Sequence, residues 1–208
     1  MARAAYWNHN VHYQPVILAA VPPGCDQALD VGCGDGLLAC LLAERCRTVT
    51  GIDRDERMIT VARARAAAQR PEPGQGPTFV AADFLAHPLA SESYDFVCAN
   101  TSLHHMDFAA ALTAMARLLK PGGRLAIIGL AKHGSIADYL PDAAATPVNL
   151  FYKAVYREGS SGAPIKDPDM TWAQVRATAA RLLPGVQYRR LLLWRYSLIW
   201  HKPTDQSR

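Results

Sequence analysis

The sequence predicts an α/β fold, a mostly parallel sheet with helices packed on both faces. Three observations carry that expectation. Between about residues 27 and 129, short apolar or β-branched runs alternate with segments of helical character, the pattern of successive βαβ units. A glycine-dense turn, Gly32-Cys-Gly-Asp-Gly36, joins the first run to the apolar segment Leu37-Leu-Ala-Cys-Leu-Leu42. Three later runs end on a polar residue, Asp53, Asp83 and Asn100, where open parallel sheets place their ligands. A chain of 208 residues, 50% of them hydrophobic, is long enough for one sizeable core, so one domain over 1–208 is expected.

Taken in order, residues 1–27 form a lead segment rich in Tyr, Trp, Asn and His that ends at Pro22-Pro-Gly24. The first strand is expected at about 27–31 and its helix at about 36–45. Thr48-Val-Thr-Gly-Ile-Asp53 reads as the second strand. Residues 55–69, mostly Ala, Arg and Met, favour a helix, which Pro71-Glu-Pro-Gly-Gln-Gly-Pro77 ends in an exposed loop. Thr78–Asp83 and Tyr94–Asn100 read as the third and fourth strands. Asp107 caps a helix reaching Lys120, which Pro121-Gly-Gly123 terminates, and Arg124–Gly129 is a buried fifth strand. Residues 131–185 depart from strict alternation. Within them lie a mixed aromatic segment, the flexible Gly159-Ser-Ser-Gly162, and a helix opened by the capping box Thr171-Trp-Ala-Gln174. Residues 186–203 read as two strands joined by a tight turn, and therefore antiparallel.

Composition excludes several classes. No apolar run approaches the ~18 residues of a membrane span, and the N-terminus is too short and aromatic for a signal peptide. A cytoplasmic protein is expected. Five cysteines with no Cys-x-x-Cys pair argue against a disulfide framework or a metal site and for buried thiols. The net charge of +4 is mild, although Arg176, Arg181, Arg189, Arg190, Arg195, Lys202 and Arg208 crowd the C-terminal region. These basic residues read as a solvated outer face. No aromatic-interleaved basic motif supports nucleic-acid binding.

The turn at Gly32, Gly34 and Gly36 removes three Cβ atoms, so a ligand can approach the backbone and the following helix start. A dinucleotide fingerprint needs its third glycine at position 37. Leu37 stands there, which argues against a nicotinamide cofactor. Asp53 can accept hydrogen bonds from both hydroxyls of a ribose, or it can cap the helix that follows. His104 and His105 follow the fourth strand directly, and imidazole titrates near neutral pH. Either is a candidate general base, or an ordering residue of its loop.

Asp30-Val-Gly-Cys-Gly-Asp-Gly36, Gly51-Ile-Asp53, Ala81-Ala-Asp83-Phe84 and Leu118-Leu-Lys-Pro-Gly-Gly-Arg124 together resemble the motifs of the class I S-adenosylmethionine-dependent methyltransferases, especially the small, type 11-like members. The resemblance spans about residues 28–130. It implies a Rossmann-like seven-stranded sheet with an antiparallel C-terminal strand, and S-adenosylmethionine as cofactor with S-adenosylhomocysteine as product. By that resemblance, Asp30 receives the cofactor's amino group and Gly32, Cys33, Gly34 and Gly36 line its cradle. Asp53 and Arg54 lie at the ribose, Met58, Asp83 and Phe84 at the adenine, and Asn100 at the methionine moiety. The lead segment becomes a lid carrying Tyr6, Trp7 and Tyr13 over the donor, or else a surface helix packing its aromatics on the sheet edge. Residues 131–165 form a second lid with Tyr139, Phe151 and Tyr152.

The expected activity is in-line methyl transfer to a small organic acceptor, by a monomer or homodimer with no membrane partner. Two alternatives stay open on the sequence. One is a protein that keeps the cofactor without transferring methyl groups. The other is an RNA or protein methyltransferase.

Overall fold

The computed structural model describes residues 7–69, 76–156, 159, 162 and 166–204. The strands are β1 (Gln27–Val31), β2 (Thr48–Asp53), β3 (Thr78–Ala81), β4 (Tyr94–Asn100), β5 (Leu119–Gly129), β6 (Gln187–Leu191) and β7 (Arg195–His201). They form one sheet in the order β3-β2-β1-β4-β5-β7-β6. β1 to β5 pair in parallel, and β7 runs antiparallel to both β5 and β6. The chain builds outward from β1 to β3, then crosses back to place β4 on β1's other side. That reversal opens a crevice at the carboxyl ends of β1 and β4.

The helices are α1 (His9–Ala20), α2 (Leu37–Leu42), α3 (Glu56–Gln69), α4 (Phe108–Leu118), α5 (Leu140–Val155) and α6 (Trp172–Leu182). Alternation along the strands sends their side chains into two cores. On one face, Leu29, Val97, Leu125, Ile127 and Leu198 meet Leu112 and Met115 of α4 and Val175 and Ala179 of α6. On the other, Ala28, Phe96, Cys98, Ala126 and Ile128 meet Ile17 of α1, Leu38 and Leu42 of α2, and Ile59 and Ala62 of α3. The five cysteines are free and buried. No described helix is long and apolar enough to cross a membrane.

Local chemistry sets several boundaries. Asp107 accepts a hydrogen bond from Ala110 N at 2.7 Å and starts α4, and Thr171 with Gln174 closes the expected capping box on α6. Other boundaries differ from expectation. α2 is shorter than 36–45, because its last turn tightens: Glu44 N and Arg45 N donate to Leu41 O and Leu42 O. α4 stops at Leu118 rather than Lys120, and the chain enters β5 at once, with Gly122 N donating to Lys202 O within the turn. β3 stops at Ala81, so Asp83 stands in the turn beyond it.

Two further helices lie outside the alternating pattern. The lead segment forms α1, capped by Asn8 Oδ1, which accepts from Asn10 N and Val11 N. It packs over the middle of the sheet, with Ile17 wholly buried. Pro15 within it, and Asn and His around it, hide any 3.6-residue apolar period. The aromatic segment forms α5, whose pattern is interrupted by Pro147.

The basic C-terminal residues also depart from a uniform solvated face. Arg190 pairs with Asp138 at 3.2 Å and lies over the Trp172 ring, Lys202 pairs with Glu92, and Arg195 is buried. Arg176, Arg181 and Arg189 are exposed as expected, and Arg208 lies outside the described residues.

Where β5 meets β7, the close approach at Gly129 has no slack. A Cβ there would lie 2.2 Å from the Tyr196 ring, which is itself buried. Gly129→Ala should therefore destabilise the fold by about 1–3 kcal/mol, the usual cost of overpacking. The check is the urea midpoint at unchanged slope. An unchanged midpoint would mean that the β5–β7 contact yields freely.

Candidate active site

A cavity of about 610 Å³ occupies the crevice at the ends of β1, β2 and β4. Its floor is the glycine turn. Gly32 N and Cys33 N donate to Ile52 O at 2.8 and 3.1 Å, and Gly34 N donates to Asp53 Oδ2 at 2.9 Å. Gly32 and Gly34 have φ of +70° and +52°, conformations that favour glycine.

The three glycines are not equivalent, contrary to the simple picture of a cradle bare on one side. A Cβ on Gly34 would meet nothing within 4 Å. One on Gly32 would lie 2.2 Å from Ser102 Cβ, and one on Gly36 would lie 2.7 Å from Ala62 Cβ. Gly34 therefore keeps the cavity open, whereas Gly32 admits the loop after β4 and Gly36 lets α3 close on the turn. Gly36 does not line the cavity.

Asp30, on β1, is 1% exposed. Its Oδ1 accepts a long hydrogen bond from Cys98 Sγ at 3.7 Å, and its Oδ2 has no partner. Burial raises its pKa to about 7, against the Cys98 contact, and Asp53 and Asp35 raise it further. Burial also pushes the neighbouring Cys33 thiol up. Asp53 does two jobs at once: Oδ2 braces Gly34, and Oδ1 accepts from Asp55 N at 2.9 Å and shapes the entry to α3. Each carboxylate oxygen retains a second lone pair. Asp83 orders its own turn through Leu85 N at 2.8 Å. Arg54, Met58, Phe84 and Asn100 also line the cavity.

The loop after β4 is bent hard. Thr101 has a φ of +60° and is held by its N–H to Ile128 O at 2.7 Å. Ser102 Oγ donates to Val31 O at 2.6 Å and ties the loop to β1. His104 and His105 follow, their ring centroids 4.1 Å apart, and both line the cavity. Burial first, then His105, Arg195 and Lys166, lowers the pKa of His104 to about 4, and its Nδ1 is buried without a partner. His105 is also lowered, by burial and then by Arg54.

The lead segment covers the cavity, but with different side chains from those expected. Asn8, His9, Asn10, Val11 and Gln14 line it, and Asn100 Nδ2 donates to Asn10 O at 3.2 Å. None of the described lid aromatics faces it. Trp7 stacks on Tyr152, with centroids 5.3 Å apart and planes 8° apart, and Tyr13 donates its hydroxyl to Leu192 O. Tyr139 stacks on His133 at 4.1 Å, and Phe151 is exposed with its edge toward Tyr152. Trp7 and Tyr152 pack on each other, and the polar side of α1 is the one turned to the site. Tyr6 lies outside the described residues.

Asn10, Gln14, Asp35, Thr101, Ser102 and Arg195 belong to the site and were not singled out in the sequence. A second cavity of about 350 Å³ shares His104, Met106, Asp107 and Leu130 with the first, and is lined mainly by apolar residues such as Phe108, Met170, Val175 and Tyr196.

The sheet topology and the cavity at its switch point define a doubly wound α/β protein with its crevice where such folds hold their ligands. Comparison with known proteins narrows the class. Residues 29–127 match the family model described as a methyltransferase domain. An uncharacterized methyltransferase of Mycobacterium tuberculosis is 35% identical over 200 residues, covering 95% of this chain and 98% of that protein. The 27-O-demethylrifamycin SV methyltransferase of Amycolatopsis mediterranei is 39% identical over 104 residues, 49% of this chain and 38% of that one. Among solved structures, magnesium protoporphyrin IX methyltransferase from Synechocystis with bound S-adenosylhomocysteine matches with a TM-score of 0.60 at 20% identity, covering 92% of this chain and 84% of that one. The chain belongs to the methyltransferase family.

The state of Asp30 gives a pH signature. Its folded pKa of about 7 stands well above the ordinary carboxylate value of 3.8, so between those values the folded state binds more protons than the unfolded one. Stability of the ligand-free protein should therefore fall as pH rises through that window. Asp30→Asn should flatten that part of the stability profile, read from urea midpoints across the range. Identical profiles for the two proteins would show that Asp30 ionises normally.

Proposed function

We propose that this protein transfers a methyl group from S-adenosylmethionine to a small organic acceptor, leaving S-adenosylhomocysteine. The observation that carries this reading is the buried Asp30, with one carboxylate oxygen unpartnered, beside the bare face of Gly34. An unpartnered buried carboxylate is costly, and a ligand ammonium at that point offsets the cost. The cavity volume falls within the range that accommodates cofactor-sized ligands. The residues present thus fit the cofactor. Asp30 and the 32–34 turn would hold its aminoacyl end, Asp53 and Arg54 its ribose, and Met58, Asp83 and Phe84 its adenine.

When bound, the cofactor supplies a sulfonium methyl group already activated for displacement. The chain's part is to hold the acceptor's attacking atom in line with that bond and to keep water away, and orientation alone is worth about 7–11 kcal/mol. The α1 start, fixed by Asn100, closes one side. The His104–His105 loop forms the wall between the two cavities, and the apolar second cavity offers room for the body of an organic acceptor. A lowered pKa keeps both histidines neutral near pH 7. His104, at about 4, is a poor proton acceptor but a firm neutral wall. His105, less buried, is the better-placed base where an acceptor hydroxyl must lose its proton. The rifamycin-methylating relative is named for a small-molecule acceptor, which supports that class here.

Calorimetric titration with S-adenosylmethionine, S-adenosylhomocysteine and NAD tests the reading directly. Binding of the first two and not the third is expected. Asp53→Ala should weaken cofactor affinity by about ten- to hundredfold, through lost charge-assisted hydrogen bonds. Unchanged affinity in that variant would remove Asp53 from the cofactor's contacts. His105→Ala should leave cofactor affinity intact and lower turnover by roughly 10²–10⁴-fold where the acceptor must be deprotonated. Undiminished turnover on a hydroxyl acceptor would discard His105 as base.

A further inference from the structure

The turn between β6 and β7 is built from residues that ordinarily avoid its geometry. Leu193 and Trp194 have φ of +55° and +58°, a left-handed pair that glycine and asparagine adopt at lower cost. Two side chains hold it there. Arg195, the first residue of β7, donates from Nη1 to the carbonyl oxygens of Leu193 and Trp194, each at 3.3 Å. The Tyr13 hydroxyl donates to Leu192 O at 2.5 Å. Leu193 is wholly buried in the core that α1 shares, and the Trp194 ring lies 5.6 Å from that of His9. Backbone strain of this kind persists only where its surroundings over-determine it. Here the enforcing contacts tie the turn to α1.

Arg195 carries that tie on to the cavity. It is 9% exposed, and its Nη2 donates to Asn10 Oδ1 at 2.8 Å. Asn10 lies in the first turn of α1, and its backbone carbonyl accepts from Asn100 Nδ2 at 3.2 Å. Asn100 ends β4, and its Oδ1 accepts from Thr101 Oγ1 at 3.4 Å. Both polar atoms of that side chain are thus committed, one to α1 and one to the bent loop. Asn8 and His9 bond Gly159 and Asn149 instead, whereas Asn10 joins this end of the helix to two strands. The planar fork of a guanidinium can reach two carbonyls and an amide oxygen at once, which an ammonium cannot match in fixed geometry. A chain of hydrogen bonds therefore runs from β7 through α1 to the end of β4. Its three residues, Arg195, Asn10 and Asn100, all line the main cavity.

We propose that Arg195 is a positioning residue of the donor site: through Asn10 it fixes the start of α1 against Asn100, and so sets the wall that meets the methionine end of the cofactor. The proposal rests on the methyl-transfer reading above and adds the β6–β7 hairpin to the elements that shape that end of the site. Arg195 acts through its neighbours. Its Nε is buried and unpartnered, and three of its four Nη N–H groups go to protein oxygens. Without the guanidinium, Asn10 Oδ1 is released and the first turn of α1 can leave Asn100. The loss then falls on the part of the ligand beside Asn100 and spares the adenosine, which the ends of β2 and β3 would hold.

Calorimetry with two ligands tests this. S-adenosylhomocysteine carries the amino-acid end, and 5′-methylthioadenosine keeps the adenosine and the sulfur without it. Arg195→Gln should weaken S-adenosylhomocysteine by about tenfold, the worth of a hydrogen bond to a charged group, and leave 5′-methylthioadenosine unchanged. Arg195→Lys, which can still reach Asn10, should recover part of the loss. Asn10→Ala should show the same selective loss, and adding Arg195→Gln to it should weaken S-adenosylhomocysteine no further. Equal losses for the two ligands, the mark of a merely structural role, overturn the proposal, as does unchanged S-adenosylhomocysteine affinity in Arg195→Gln. Additive losses in the double variant overturn it differently, by showing that the guanidinium acts on the ligand itself. Where Arg195→Gln does not fold, Asn10→Ala decides: a selective loss supports the proposal and an unchanged affinity overturns it. Wild type that binds neither ligand defeats the methyl-transfer reading beneath.

Discussion

The position of β1 at the turning point of the sheet constrains nearly everything around the site. Paired in parallel with β2 on one side and β4 on the other, this strand is covered on both faces and has to be apolar along its length. Leu29 and Val31 serve one core and Ala28 the other. Asp30 is the exception, and it occurs one residue before the strand gives way to the glycine turn. The turn cannot rise from the sheet without its glycines, because Ser102 on one side and Ala62 with Phe79 on the other press against it. The carbonyls at its two flanks are both committed, Ile52 O to the turn and Val31 O to Ser102. Once β1 is fixed, the crevice floor, the bend after β4 and the depth of Asp30 follow together.

That arrangement leaves two buried ionisable residues at the cavity, each with one polar atom unpartnered. Asp30 is anionic when ionised and lacks a donor for Oδ2; Arg195 is cationic and lacks an acceptor for Nε. Neither is among the charges that act on the other. In a low-dielectric setting such separation costs stability. On the methyl-transfer reading, a ligand ammonium at β1 would offset the cost at Asp30. His104 and His105 line the same cavity, and burial first of all lowers the pKa of both.

Much of the scaffold was legible because local signals and tertiary context agree. The spans of β1, β2 and β4 coincide with their apolar runs, and the caps at Asp107 and Thr171 need only residues three apart. The polar residues expected at the strand ends, Asp30, Asp53, Asp83 and Asn100, all meet in one cavity, since topology alone carries strand ends to a common edge. What the sequence hid depends on long-range contact. Ser102 belongs to the site through a bond to β1, 71 residues earlier, and Arg195 through Asn10, 185 residues away. In the sequence, Arg195 is one of several arginines and carries no mark of burial. The aromatic lead segment misled for a related reason. Trp7 and Tyr152 have the composition of a lid, yet each finds the other, and the polar residues between them line the crevice.

Several strained or unpartnered groups of the described structure border the cavity, although Glu92, Leu193 and Trp194 also have positive φ and the indole nitrogens of Trp7 and Trp172 are also buried without a partner. Thr101 in the left-handed region, the orphaned oxygen of Asp30, the orphaned Nδ1 of His104 and the unpaired guanidinium all border the same cavity. Elsewhere the strands are conventional, and four successive residues of β5, Leu125 to Ile128, are wholly buried between the two cores. Local features of this kind each cost of order 1–3 kcal/mol and persist only where their surroundings over-determine them. The double core supplies that surplus. The turn, the bent loop and the start of α1 are all held by hydrogen bonds to the strands themselves.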